Sequence, residues 1–151
     1  ARRNDVRRVA DTSTVAVNSD TRGRVVDESY HFAGRHLTAY DATKAAAHDL
    51  AVEYAGDGLD VVILQPGVIY GPGDTSSLRT TIIQYFQGKQ PYMPTGTVFC
   101  WAHVDDIAHA HLLAMEKGKP GETYIIAGPP HQAHCAANQP WGQTSTKRRP
   151  S

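Results

Sequence analysis

Tyr40-Asp41-Ala42-Thr43-Lys44 sets a phenol and an ammonium four residues apart. On a helix both side chains leave the same face, one turn from each other. The chemistry open to such a pair is proton transfer. A free tyrosine, with a pKa of roughly 10, is a poor acid or base at neutral pH. A cation about 5 Å away, at an effective dielectric of about 20, favours the phenolate by roughly 3 kcal/mol and brings it into working range. Taken alone, the spacing describes equally well a surface tyrosine beside a snorkelling lysine. The neighbouring segments decide between the two.

Other residue groups invite a chemical reading and carry less. Asp105 and Asp106 are readable as paired catalytic carboxylates or metal ligands, but acidic residues at a helix start explain them more simply. His109 and His111, two apart on a helix, face different ways and make a poor ligand pair. His131, His134 and Cys135 have loose metal-like spacing in a stretch without periodicity, so no metal site is assigned. The string Gly71-Pro72-Gly73-Asp74-Thr75-Ser76 looks like a dinucleotide fingerprint. Ser76 stands where a third small residue is needed, however, and the first strand and distal acidic residue are absent.

The elements that must position these groups follow from periodicity and punctuation. Residues 6–15 read as a strand ending in the hydroxyls Thr12-Ser13-Thr14. After a loop with turn residues, an Ala- and Leu-rich helix spans about 39–55, stopped by Gly56-Asp57-Gly58. Residues 59–64 read as a strand, β-branched and uninterruptedly apolar from Val61 to Leu64, the pattern of a parallel strand buried on both faces. Residues 65–74 read as loop, and Ser76 or Ser77 caps a second helix whose apolar face is Leu78, Ile82, Ile83 and Phe86. A strand at 97–104, a helix at 107–116 and a short strand at 122–127 complete an alternating α/β pattern.

Composition excludes whole classes. At 151 residues, with 40% hydrophobic and 20% charged residues, the chain is sized for one soluble globular domain. No apolar run is long enough to span a bilayer, and without a charged stretch followed by an apolar one at its start the sequence carries no expectation of a secretory leader. Cys100 and Cys135 give no disulfide framework, and a cytoplasmic location is the expectation. Basic residues gather at the two ends, Arg2, Arg3, Arg7 and Arg8, then Lys147, Arg148 and Arg149. Without interleaved aromatics they read as solvated termini, not a nucleic-acid surface.

Taken in order, Thr12-Ser13-Thr14, Tyr40…Lys44, Gln65-Pro66-Gly67-Val68-Ile69-Tyr70-Gly71-Pro72-Gly73 and Trp101-Ala102-His103-Val104-Asp105-Asp106-Ile107-Ala108 form a series. It resembles the extended short-chain dehydrogenase/reductases, the NAD-dependent epimerase/dehydratase family, and looks closest to the dihydroflavonol-reductase-like and nucleotide-sugar epimerase branches. The resemblance covers about residues 6–128. It implies a partial Rossmann-like, doubly wound parallel sheet with part of a small substrate-binding region. It implies Tyr40 as general acid/base and Lys44 as the residue that binds the nicotinamide ribose and assists the phenol. Thr14 is implied as the hydroxyl partner, with Ser13 the fallback on the cofactor side. Pro66, Gly67 and Val68 resemble the turn that meets the nicotinamide carboxamide, where a glycine admits close main-chain approach. The cofactor implied is NAD or NADP, the substrate a small nucleotide-sugar or carbonyl compound. The family's use of the equivalent helix in dimers makes the small-residue face Ala42, Ala45, Ala46 and Ala47 a candidate homodimer surface, although packing on the sheet also explains it.

Two departures temper the implied activity. The Gly-rich pyrophosphate loop and the first βαβ units are not in this chain, and Asp11 stands in a strand where an apolar residue is usual. Residues 1–130 therefore read as a partial NAD(P)-binding domain, and 131–151 as a disordered tail whose composition suggests out-of-frame translation. The alternative to an oxidoreductase or epimerase is a non-catalytic scaffold or interaction module that keeps the fold and binds no cofactor.

Overall fold

The computed structural model describes residues 5–89 and 98–132. His134, Cys135, the basic residues at 147–149 and most of the tail lie outside them, as does the Gly- and Pro-rich turn before residue 98. The elements are β1 (Val9–Thr12), a 3₁₀ turn (Val15–Asn18), α1 (Ala39–Gly56), β2 (Val61–Pro66), β3 (Val68–Tyr70), α2 (Ser77–Phe86), β4 (Val98–His103), α3 (Val104–Lys117), β5 (Thr123–Ile126) and β6 (Pro130–Gln132).

β2 is the centre of the fold because its sequence lets it be covered on both faces. It lies between β1 and β5 in a three-stranded parallel sheet, with Thr12 opposite Leu64 and Pro66 opposite Ile126. Every residue of β2 is buried, and Val62 and Ile63 are 0% exposed. Val62 and Leu64 pack on Ala114 of α3, with Ala10, Ala110, Tyr124 and Ile126 around them. Burying side chains of this size stabilises by about 1.5–3 kcal/mol each. α1 covers the opposite face. Helices on both faces of a parallel sheet make the α/β, doubly wound layering that the sequence predicts.

The residues at the element ends explain where the elements stop. Thr38 caps α1 by accepting from the Asp41 amide at 3.0 Å. Gly58 closes the exit of α1 with a φ of +83°, open to glycine at no steric cost. His103 caps α3: its Nδ1 accepts from the Asp105 amide at 3.3 Å. Asp105 and Asp106 sit in the first turn of α3 and Lys117 in the last, each with the sign the helix dipole favours.

Several expectations need correction. Residues 65–74 are not all loop: β2 runs on through Pro66, and Val68–Tyr70 pairs in parallel with β4. Val15 leaves the first strand for the 3₁₀ turn. The apolar face expected for α2 is not buried, and its Phe86 is 67% exposed. Pro130–Gln132 forms a strand antiparallel to β4. Arg8, expected among solvated terminal charges, is a clamp. Its Nε lies 2.9 Å from the Asp60 carboxylate, and its guanidinium donates to the Met115 carbonyl at 3.0 Å at the end of α3. Asp11 is only half-buried.

Candidate active site

The site forms where β1 ends. In open α/β sheets, ligands bind outside the carboxyl ends of the strands. Here that end carries Thr12, Ser13 and Thr14, and strand pleating sends Thr12 and Ser13 to opposite faces. Thr12 turns to α3, where its Oγ1 lies 2.8 Å from His111 Nε2. Ser13 turns to α1, where its Oγ lies 3.0 Å from His48 Nδ1. Thr14 accepts the Ala16 amide at 3.2 Å and so caps the 3₁₀ turn that packs on α1.

α1 delivers the other half. Tyr40, Lys44 and His48 recur every four residues and share one face of the helix. Lys44 Nζ donates to the Thr12 carbonyl at 3.2 Å. His48, one turn on, meets Ser13, so two successive turns of the helix grip the last residue of β1 and the one after it. Tyr40, at the start of the helix, is 58% exposed, and its hydroxyl has no hydrogen-bond partner among the described residues. The arrangement leaves a phenol open to water on the helix face that carries the anchored ammonium.

The hydroxyls can be sorted by what remains uncommitted. His111 Nδ1 lies 2.7 Å from the Ile107 carbonyl, which only accepts. Nδ1 therefore carries the ring hydrogen, and Nε2 accepts from the Thr12 hydroxyl. Thr14 differs: its oxygen accepts from Ala16, and its hydrogen has no acceptor among the described residues. Of the three, Thr14 keeps a hydrogen to give.

Gly67 is required for a reason beyond the one that its sequence suggests. Its amide donates to Ile126 at 3.0 Å as the chain passes from β2 to β3. A Cβ there would run into the Cys100 carbonyl oxygen and sit 2.9 Å from Ala127 Cβ. The close approach is thus to the protein's own backbone. Pro66 is buried at the end of β2, and Val68 begins β3.

Ala42, Ala45 and Ala46 lie across α1 from Tyr40. They line a cavity of about 330 Å³ whose far wall includes Tyr30, His31, Phe32 and His36. The segment carrying those rings continues from Glu28, whose Oε1 accepts the Ile125 amide of β5 at 2.9 Å. Sequence reasoning missed His48, although it continues the Tyr40–Lys44 spacing by one more turn. It treated His111 only as half of a poor metal pair. Among the described residues, no group of three or more His, Cys, Asp or Glu is arranged to hold a metal ion. No helix among them is long and apolar enough to cross a membrane.

The NAD dependent epimerase/dehydratase family profile matches residues 1–127. The chain belongs to that family. This epimerase/dehydratase family member is 36% identical to Sterol demethylase protein B of Methylococcus capsulatus, over 92% of the chain and 42% of that protein. It is 32% identical to a 4-hydroxy-2-methyl-3-oxo-4-farnesyl-3,4-dihydroquinoline-1-oxide ketoreductase of Stigmatella aurantiaca, over 80% of the chain and 37% of that protein. The fold superposes with a TM-score of 0.70 on a dTDP-glucose 4,6-dehydratase from Bacillus anthracis solved in complex with NAD, at 25% identity, covering 83% of the chain and 42% of that structure. The chain thus spans about two fifths of the length of the relatives it matches.

Proposed function

We propose that the chain forms the nicotinamide and substrate side of an NAD(P)-dependent oxidoreductase or epimerase-type enzyme acting on a nucleotide-sugar or carbonyl substrate. The observation that carries this reading is the placement of Tyr40 and Lys44 on one face of α1, with Lys44 tied to the carboxyl end of β1. Family membership and the NAD in the dehydratase neighbour support it.

The residues fit the nicotinamide end of such a cofactor. Lys44 spends one of its three N–H groups on Thr12 and has two left for ribose hydroxyls. When bound, the cofactor supplies or accepts a hydride. Tyr40 passes its phenolic proton to the substrate oxygen, or takes one from it, while the Lys44 ammonium offsets the negative charge on the phenolate. Thr14 donates its uncommitted hydrogen to the same oxygen and holds it in line. Ser13 stands on the cofactor side. Pro66, Gly67 and Val68 border the nicotinamide. A homodimer through α1, where Leu50, Val52 and Tyr54 are each about half exposed, belongs to the same proposal and is tested by light scattering.

The test is turnover of NADH or NADPH with a panel of ketones and nucleotide-sugars, comparing the protein with Tyr40→Phe. The reading expects Tyr40→Phe to keep cofactor affinity and lose about 10²–10⁴-fold in turnover. Equal turnover by the two would remove Tyr40 from the chemistry. A folded protein that binds neither cofactor is a scaffold.

A further inference from the structure

We propose that His48 is a positioning residue for this site. Its neutral imidazole accepts a hydrogen bond from the Ser13 hydroxyl, which fixes the hydroxyl's polarity and holds the end of β1 against α1. The proposal rests on the assignment of the Thr12-Ser13-Thr14 cluster to the active site.

Ser13 is 5% exposed, and among the described residues its hydroxyl has one hydrogen-bond partner, His48 Nδ1 at 3.0 Å. A buried hydroxyl hydrogen left without an acceptor is costly. Ser13 therefore donates and Nδ1 accepts, which puts the His48 ring hydrogen on Nε2. His111 gives the counterpart: the Ile107 carbonyl puts its hydrogen on Nδ1, and Nε2 accepts from Thr12. Two consecutive hydroxyls thus commit their hydrogens to imidazoles on opposite faces of the sheet. Thr14 is left as the donor.

Protonation of His48 reverses the bond. Nδ1 then carries a hydrogen, the Ser13 oxygen must accept it, and the Ser13 hydrogen is displaced into a buried space. The charged and titratable groups that act on the ring are Asp11 from β1, Asp49 from α1 and His31 from the segment across the cavity, whose lining also holds Tyr30 and His36. Asp49 and Asp11 favour the charged ring and His31 opposes it, but burial is the largest influence and holds the ring below the ordinary value of 6.5. His48 is therefore neutral at neutral pH, and the latch is set. Below the lowered midpoint of the ring it reverses and the turn after β1 loosens.

The experiment is ¹⁵N NMR of the protein labelled in its histidine rings. The expected result at neutral pH is an Nε2–H tautomer for His48 and an Nδ1–H tautomer for His111. In Ser13→Ala the His48 titration midpoint should rise toward 6.5. An Nδ1–H tautomer for His48, or a midpoint that does not move in a folded Ser13→Ala variant, overturns the proposal. His48→Asn supplies an acceptor at the Nδ1 position that does not titrate. It should bind NADH as tightly below the wild-type His48 midpoint as at neutral pH, whereas the wild type weakens below that midpoint and His48→Leu is weak throughout. Absence of NADH binding at every pH overturns the proposed function, and the ring tautomer still decides the role of His48.

Discussion

Lys44 reaches from α1 to donate a hydrogen bond to the main-chain carbonyl of Thr12 at 3.2 Å. That single contact ties the helix carrying Tyr40 to the strand carrying the hydroxyls. It also immobilises a flexible ammonium at the carboxyl end of β1, the place where an α/β sheet receives its ligands. In the proposed function the same lysine both holds the helix to the strand and offers charge to the site.

Thr14 separates the two kinds of hydroxyl chemistry in the cluster. Thr14→Val removes both the donor hydrogen and the bond from the Ala16 amide, and is expected to cost about 0.5–1.5 kcal/mol of stability and roughly 10²-fold or more in turnover. Thr14→Ser keeps both functions and should restore turnover. Steady-state kinetics beside urea denaturation measure the two effects. Wild-type turnover by a folded Thr14→Val would return the role to Ser13.

Gly67→Ala places a methyl group against the Cys100 carbonyl, which is backbone and cannot swing aside. The substitution should destabilise by about 1–3 kcal/mol, the ordinary range for overpacking, with no cofactor present. Thermal unfolding checks it. A neutral substitution would mean that the β2–β3 crossing relaxes freely.

Arg8→Ala breaks the contact with Asp60 and the bonds to the end of α3 together. Both side chains of the pair are largely shielded, at 21% and 32% exposed, so the loss should exceed that of a surface pair, at about 1–3 kcal/mol. Because the guanidinium is planar and forked, Arg8→Lys should recover only part of it. Urea midpoints of the two variants decide.

Acid should weaken the fold in two windows. With His48 held below 6.5 by burial, the unfolded chain binds more protons than the folded one just beneath that value. The stability from its neutral ring is complete above 6.5 and is lost as pH falls to the native midpoint. Hydrogen bonds from Ser29 and Ser76 lower Asp27 and Asp74 below 3.8, so their contribution is present above 3.8 and is lost as pH falls below it. Urea midpoints measured from pH about 8 to about 2 should show both declines. His48→Asn should erase the first, and Asp74→Asn should diminish the second.

The layering of the fold was legible because its strongest signals are local. β2 announces itself through an unbroken apolar run, and α1 through its alanines and the glycines that stop it. β3 was not legible: three residues between Gly67 and Gly71 become a strand only by pairing with β4, more than thirty positions away. Val15 and Val17 favour strand, yet Thr14 caps a 3₁₀ turn there, and the capping bond outweighs propensity. Tyr40, Lys44 and the hydroxyl cluster stand out in the sequence through spacing and order, and the fold brings Lys44 to the end of the strand that carries the hydroxyls. The histidines that orient those hydroxyls were not, because His48 and His111 meet β1 from opposite faces and from 35 and 99 positions away.

The most direct measurement is a titration of the protein with NADH and NADPH, followed by nicotinamide fluorescence, beside Lys44→Ala. The account predicts saturable binding that Lys44→Ala weakens about tenfold or more, the worth of one or two hydrogen bonds from a charged donor. Equal affinity in the two folded proteins would contradict the role of Lys44, and no binding by the wild type would contradict the site as a whole.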